Sequence, residues 1–395
     1  MSFIKNSSIF FISNILATGI TIGSLPVLTR YLTPQDYGVL ALFLTFGQVS
    51  VGITSLGLST ATYKYFFDYK NNRKTFKIIN TTNIFTNLFI FIIIGLLINY
   101  FSPLISEKIF DKKINPGLIN LSFLCGCLNY FNFYFYQLFI AQKKATLFGI
   151  LTVGQSLIRL ISVLLLIYFY SFKYMALIYG LLISNIIILL ALLIANRNLI
   201  TKKYSINFFV QSVKLSYPQI PTLILGLLYA SFDRIMLNKI GGVGSVGVYS
   251  FGAKFGNLIK FVNDSFGNVF GPFFQEQSKN DAFKNSKNII DRFLFIASLI
   301  LFVSVAMILF AEEIVKLFTT PAFYPSMFVI PIYIFYHLFG VLGILATNQL
   351  LKAEKLISEI PTSIISLSIN ISLNFFLIPI YGIIGAAIAT AIAAL

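Results

Sequence analysis

Arg159, Lys254, Lys260 and Asp264 stand inside apolar stretches long enough to cross a membrane. An ionised side chain is costly there unless it faces a bundle interior or a wet cavity. Around Arg159, the polar residues Thr152, Gln155 and Ser162 recur at helical spacing and make one stripe. At ~100° per residue, Ser250, Lys254, Asn257, Asp264 and Asn268 fall within an arc of about 80°, with Lys260 at its edge. Lys260 and Asp264 are four apart, close enough to pair along a helix. The chemistry these types offer is anion binding. Lys and Arg give charge-assisted donors to phosphate oxygens, strengthened where water is scarce. The alternative is that these groups pair with one another and hold helices together.

Further polar groups invite the same two readings. Arg30 and the Asp233–Arg234 pair fall at the ends of apolar runs, where they could gate an opening or snorkel to headgroups. Asn14, Thr18 and Thr21, and Ser363, Ser366, Asn370 and Asn374, would line a cavity or hydrogen-bond between helices. Tyr130, Phe131, Phe133, Tyr134, Phe135, Tyr136 and Phe139 crowd one segment. An interfacial belt in contact with lipid is the expectation for them, ahead of stacking on sugars. His337 reads as a buried, hydrogen-bonded histidine ahead of a proton relay, and Glu312 and Glu313 as solvent-facing. Cys125 and Cys127 read as small packing residues, because two thiols and one distant histidine cannot fill a zinc site of about four ligands.

The elements that must position these groups follow from composition. Hydrophobic residues make up 57% of the 395, charged residues 11%, and the mean hydropathy is +0.86. A soluble domain carries about a quarter charged residues, so lipid is the expected solvent. The net charge of +16 lies in short clusters between apolar runs, which excludes a nucleic-acid face. At about 20 helical residues per crossing, spans fall near 9–28, 39–61, 83–101, 117–140, 147–169, 174–195, 216–237, 245–271, 292–311, 327–349 and 358–378. A twelfth run from Gly382 is too short to cross, so the chain is expected to stop inside its last helix. Lys and Arg concentrate in alternate loops, at Lys64–Lys77, Lys143–Lys144, Arg197–Lys214 and Lys279–Arg292, which predicts a cytoplasmic N-terminus.

The halves resemble one another. Gln35-Asp36-Tyr37-Gly38-Val39 opens one span as Gly244-Ser245-Val246-Gly247-Val248 opens another, and at the same offset the basic loop at Asn71 falls on Asn280. Ala141-Gln142-Lys143 likewise resembles Ala353-Glu354-Lys355. Six spans per half is an even number, so the halves run the same way. The expected fold is an all-α polytopic membrane protein of about 12 transmembrane helices. They form two six-helix bundles, residues 1–200 and 201–395, related by a pseudo-twofold axis along the membrane normal.

Other motifs fail on context. Gly242-Val243-Gly244-Ser245-Val246-Gly247 spells G-x-G-x-x-G, yet it follows a span-length apolar run with no second strand after it. There is no Walker A motif, and the loop near Ser102–Pro116 is too small for a catalytic domain. No cofactor or metal site is expected.

Pro26-Val27-Leu28-Thr29-Arg30-Tyr31-Leu32-Thr33-Pro34-Gln35-Asp36-Tyr37-Gly38 resembles the first-loop signature of the polysaccharide-biosynthesis, O-antigen flippase family. That family lies within the multidrug/oligosaccharidyl-lipid/polysaccharide superfamily. Asp233-Arg234-Ile235-Met236-Leu237 with Val246-Gly247-Val248-Tyr249-Ser250 is similar to the start of its second half, and Tyr381-Gly382-Ile383-Ile384-Gly385-Ala386-Ala387 to its last span. The resemblance implies a two-bundle, V-shaped transporter of MATE-like fold in a bacterial cytoplasmic membrane. Its implied substrate is an undecaprenyl-pyrophosphate-linked O-antigen or capsule unit, moved by alternating access. Arg159, Lys254, Lys260, Asn257 and Asp264 would then hold the headgroup, with Arg30, Asp233 and Arg234 at the outer gate. A polysaccharide polymerase and chain-length regulator are candidate partners. A proton or sodium gradient, taken up at Asp264, His337 or Asp233, is the open choice of energy source. Two alternatives stand beside this reading: a multidrug exporter of the same superfamily, which the basic stripe disfavours, and a membrane-embedded polymerase, which the short loops disfavour.

Overall fold

The computed structural model describes residues 2–110, 114–217, 220–277, 286–353 and 358–395, and each regular element among them is a helix. Ten of these helices are long and apolar enough to cross a membrane, as expected of a polytopic chain. The basic loop at Asn280, the Glu354–Lys355 pair and the side chains of Lys5 and Asn268 lie outside the described residues. In order come α1 (Ser2–Gly23), α2 (Leu25–Tyr31), α3 (Pro34–Thr54), α4 (Leu58–Asp68), α5 (Arg73–Lys108), α6 (Pro116–Ala141) and α7 (Ala145–Tyr170). They are followed by α8 (Tyr174–Asn196), α9 (Ile206–Ser216), α10 (Ile220–Gln277), α11 (Ser286–Leu309), α12 (Ala311–Phe318), α13 (Val329–Lys352) and α14 (Glu359–Ala393).

Local rules explain the boundaries. Asn72 caps α5 by accepting from the Thr75 N–H, and Asn115 caps α6 through Gly117 N–H with Pro116 following. Before α3, the Thr33 N–H and hydroxyl both donate to Asp36 Oδ2 at 2.8 Å, while Asp36 N–H donates to Thr33 Oγ1 at 3.3 Å. This reciprocal capping box is the physical content of Thr33-Pro34-Gln35-Asp36. The 58 residues of α10 would make a rod of roughly 87 Å, far beyond one crossing. It breaks at Gly242, whose φ of 79° suits a residue without a Cβ. Gly382, at φ 55°, breaks α14 in the same way.

The chain forms two compact units. The first comprises residues 1–32 and 39–231. There α7 packs on α1 and α8, while α6 packs on α5 and α8. The aromatic run of α6 departs from the lipid-facing belt expected of it. Tyr134, Phe135 and Phe139 are buried beside Phe66, Phe76 and Phe148, and Phe133 is exposed. The phenylalanines join an apolar cluster, and α5 offers the tyrosine hydroxyls partners. Tyr134 OH donates to Asn80 Oδ1 at 2.8 Å, and Asn87 Nδ2 donates to Tyr130 OH at 2.7 Å. The other edge of the same polar run on α5 holds the segment leading to α9. Asn80 Nδ2 donates to the Leu199 carbonyl, while the N–H groups of Thr201 and Ser205 donate to Thr81 and Thr82 Oγ1. Cys125 and Cys127 are free and buried, as packing residues should be.

The second unit holds residues 33–38 and 232–395. Its α10 carries Gly252-Ala253-Lys254-Phe255-Gly256, a small-xxx-small pair of the kind that lets membrane helices approach closely. A Cβ on Gly252 would press on Val329 and the Ser326 carbonyl, and one on Gly256 would collide with Tyr333. α13 therefore lies against α10, and its Tyr333 and His337 come within hydrogen-bonding range of α10 side chains. On α12, Glu312 and Glu313 are exposed as expected, and Lys316 Nζ reaches Glu312 Oε1 at 2.5 Å. That bond raises the Lys316 pKa.

Gly256→Leu should wedge α10 and α13 apart and destabilise the protein by about 1–3 kcal/mol. Thermal unfolding in detergent micelles checks this. An unshifted midpoint would show that the helices do not depend on that close approach.

Candidate functional site

The expected stripe on α10 separates into two groups. At Ser250 and Lys254 it is engaged with the protein. Ser250 Oγ accepts from Arg234 Nε at 3.3 Å, and Lys254 Nζ lies 4.9 Å from the centre of the Tyr37 ring and 6.0 Å from that of Phe251. Tyr37 is held there edge-on to Phe251 and Phe323 at 5.7 and 5.4 Å. A cation over aromatic faces gains electrostatic stabilisation from the ring quadrupole. Lys254 thus secures the first-loop signature residue Tyr37, a role not evident from spacing along α10 alone.

The second group is Asn257, Lys260, Asn263 and Asp264, facing His337. His337 is 6% exposed, and its Nε2 lies 2.9 Å from Asn257 Oδ1. With the amide oxygen turned to the ring, Nε2 is the donor of this bond. Asn263 Nδ2 donates to the His337 carbonyl at 2.6 Å. Lys260 and Asp264 pair at 3.8 Å, as their spacing predicts, with side chains 59% and 62% exposed. Together with Tyr336, Gly340 and Gly343 they line a cleft of about 560 Å³. The histidine is structural as expected, fixed on both sides.

Asp233 lies elsewhere in the same unit. It is 1% exposed, so it does not snorkel at a helix end. Tyr333 OH lies 3.0 Å from Tyr249 OH, and Tyr249 in turn donates to Asp233 Oδ2. The Arg234 N–H donates to Oδ1 at 2.9 Å. Thr390 Oγ1 stands 3.0 Å from the Ala386 carbonyl and 3.5 Å from Asp233 Oδ2, and its single proton can serve one at a time. Behind Thr390, Asn370 and Asn374 continue the chain at 3.4 and 3.0 Å, and Asn374 Oδ1 is buried without a partner. The sequence pattern showed Asn370 and Asn374 as a stripe, but their connection to Asp233 depends on the break at Gly382. Arg30, in the last turn of α2, is exposed.

Arg159 belongs to the first unit, half-buried on α7 one turn from Gln155. Gln155 Nε2 donates to Asn185 Oδ1 at 2.9 Å. Asn132 Nδ2 approaches the same oxygen at 3.3 Å, and Tyr136 OH donates to Gln155 Oε1 at 3.4 Å. Asn185 Nδ2 closes the cluster onto Cys125 Sγ at 3.6 Å. Asn132 and Asn185 escape notice in the sequence because neither belongs to a polar stripe at helical spacing, and their meeting depends on how α6 packs against α8. No ion pair to Arg159 occurs among the described residues. The sequence places no Asp or Glu inside α6, α7 or α8.

The comparisons bear on the fold and family. A family model described as polysaccharide biosynthesis protein matches residues 3–278. No curated protein matches the chain. Among solved structures, it resembles the lipid II flippase MurJ in an inward closed conformation, with TM-score 0.72 and 18% identity over 99% of this chain and 85% of that one. An inward-facing multidrug resistance MATE family transporter of the MOP superfamily gives 0.67 and 16%, over 98% and 92%. A MOP superfamily transporter from Pyrococcus furiosus gives 0.65 and 15%, over 100% and 93%. That protein is described as having a binding pocket of reverse polarity that suggests a different function. At these identities the likeness establishes the MOP fold.

Tyr37→Leu and Lys254→Gln should be non-additive in thermal unfolding, with a coupling of about 0.5–2 kcal/mol. Strictly additive shifts would remove the cation–ring contact from the account.

Proposed function

We propose that this chain, which belongs to the polysaccharide biosynthesis protein family, is a flippase for polyprenyl-diphosphate-linked oligosaccharides. It moves O-antigen or capsule units from the inner to the outer leaflet of a bacterial cytoplasmic membrane, alternating between inward- and outward-open states. Its N-terminus is cytoplasmic, and a polymerase and chain-length regulator act on the delivered units. The chain performs no covalent chemistry of its own.

The observation that carries this reading is Arg159. A guanidinium is placed well inside a membrane-length helix with no carboxylate on α6, α7 or α8 to neutralise it. A bare cation at that depth is costly, and a diphosphate that accepts its hydrogen bonds offsets the cost. Lys254 adds a second positive charge. The same two charges oppose an organic cation, which is why the multidrug alternative is the weaker one.

The energy source enters at Asp233 in this reading. A buried carboxylate fed by Tyr249 and Thr390, with the orphan oxygen of Asn374 along the same chain, supports uptake of a proton or a sodium ion. Either ion would satisfy the orphan oxygen of Asn374, and a proton would neutralise the buried Asp233 carboxylate.

In a null strain, lipid-linked units should accumulate on the inner leaflet. The wild-type gene should restore export, and Arg159→Ala should not, despite normal membrane levels. Full complementation by Arg159→Ala would end the assignment of that residue. In proteoliposomes, a pH or sodium jump should accelerate flipping by the wild type, and Asp233→Asn should abolish the acceleration while slow, gradient-independent flipping persists. Equal acceleration of both proteins would exclude Asp233 as the coupling group.

A further inference from the structure

We infer that the cleft between α10 and α13 is a saccharide subsite. Lys260, Asn263 and Asp264 would bind hydroxyl groups of the first sugars, while the diphosphate is held elsewhere. The inference rests on the flippase reading and assigns a part of the substrate to a particular set of atoms.

Charge comes first. Lys260 and Asp264 lie 3.8 Å apart, and both open on the cleft. A diphosphate drawn to Lys260 would meet the Asp264 carboxylate at nearly the same distance, and the two Coulomb terms would largely cancel. The pair is therefore a poor anion hook. It suits a neutral ligand that both gives and accepts hydrogen bonds, as a sugar diol does, with the carboxylate accepting and the ammonium donating.

The second observation points to a donor on the ligand. Asn263 lines the cleft, is 6% exposed, and donates through Nδ2 to the His337 carbonyl. A carbonyl can only accept, so the orientation of this amide is fixed by its partner, and Oδ1 must be the other atom. That Oδ1 is buried and has no partner. Leaving an acceptor unmade in a dry site is costly. A ligand reaches this oxygen only by shifting the cleft wall, and then a sugar hydroxyl, unlike an ionised diphosphate, has a proton to give it.

Shape agrees. At about 560 Å³ the cleft lies in the ~300–1,000 Å³ range of small-molecule sites, room for a short saccharide and not for a polyprenyl chain. Gly340 and Gly343 leave one wall without side chains, and Tyr336 supplies an aromatic edge.

The test compares two probes on the full chain in nanodiscs: undecaprenyl diphosphate, and the same lipid bearing the host's oligosaccharide, extracted from the flippase-null strain. Native mass spectrometry reads both affinities. Asp264→Asn, Lys260→Gln and Asn263→Leu should each weaken the saccharide-bearing lipid about tenfold, the size of one lost hydrogen bond. None should change undecaprenyl diphosphate binding by more than about twofold. Asp264 and Lys260 are exposed, so their variants keep the test decisive if Asn263→Leu fails to fold. Lys260→Gln weakening both lipids alike would make the cleft a diphosphate site and overturn the inference, as would no effect from either exposed variant. A wild type that binds neither lipid would instead sink the flippase reading itself. Selective loss in the cleft variants with Arg159→Gln inert would leave the subsite standing and remove only the arginine's role.

Discussion

Within a hydrocarbon slab no water stands ready to hydrogen-bond a stray polar atom, so each donor and acceptor needs a partner from the chain or a wet chamber at its side. This constraint decides what the polar residues of the two units are doing. Where a partner exists, the residue is part of the frame. Asn80, Asn83 and Asn87 on α5 hold Tyr134, Thr62 and Tyr130, and a helix that is otherwise strongly apolar is locked to its neighbours. Where a partner is missing, the gap itself is informative, as at Asn263 Oδ1 and Asn374 Oδ1.

The two units meet the constraint with a different balance of means. In the first, aromatic rings and long amides bridge some helices, while Gly47, Gly126, Gly149 and Gly180 let others pack closely. In the second, Gly252 and Gly256 let α13 settle directly on α10, and short-range hydroxyl and carboxylate contacts become possible. Tyr249, Tyr333 and Asp233 could not form one donor chain across a wider gap. Glycine also sets direction. The breaks at Gly242 and Gly382 turn continuous helices so that residues far apart in sequence, such as Asp233 and Thr390, reach one another.

Much of this was legible from residue types alone. Apolar run lengths fixed the helical, polytopic character, because a bilayer sets the length of a crossing. The i to i+4 spacing of Lys260 and Asp264 announced their pair, and His337 as a lone ring in an apolar run announced a buried hydrogen bond. The aromatic run of α6 misled, because composition cannot tell a lipid-facing ring from one whose hydroxyl finds an asparagine on the next helix. Lys254 was placed on the right helix, but its ring contact was not legible, because Tyr37 is more than two hundred residues away in sequence. Asp233 looked like a helix-end residue because its span was read as ending near residue 237, whereas the helix runs on to the break at Gly242, nine residues past Asp233.

The three basic residues set deep in helices now differ in kind, although they share a charge. Lys260 is offset by a carboxylate one turn along, Lys254 by aromatic faces, and Arg159 by no acidic group on its neighbouring helices. A charge that is already neutralised has little left for an anionic ligand, and one resting on a ring quadrupole has more, since the ring reduces the field only partly. Affinity for a diphosphate should therefore fall in the order Arg159, Lys254, Lys260, while the capacity to read uncharged hydroxyls rises in the same order.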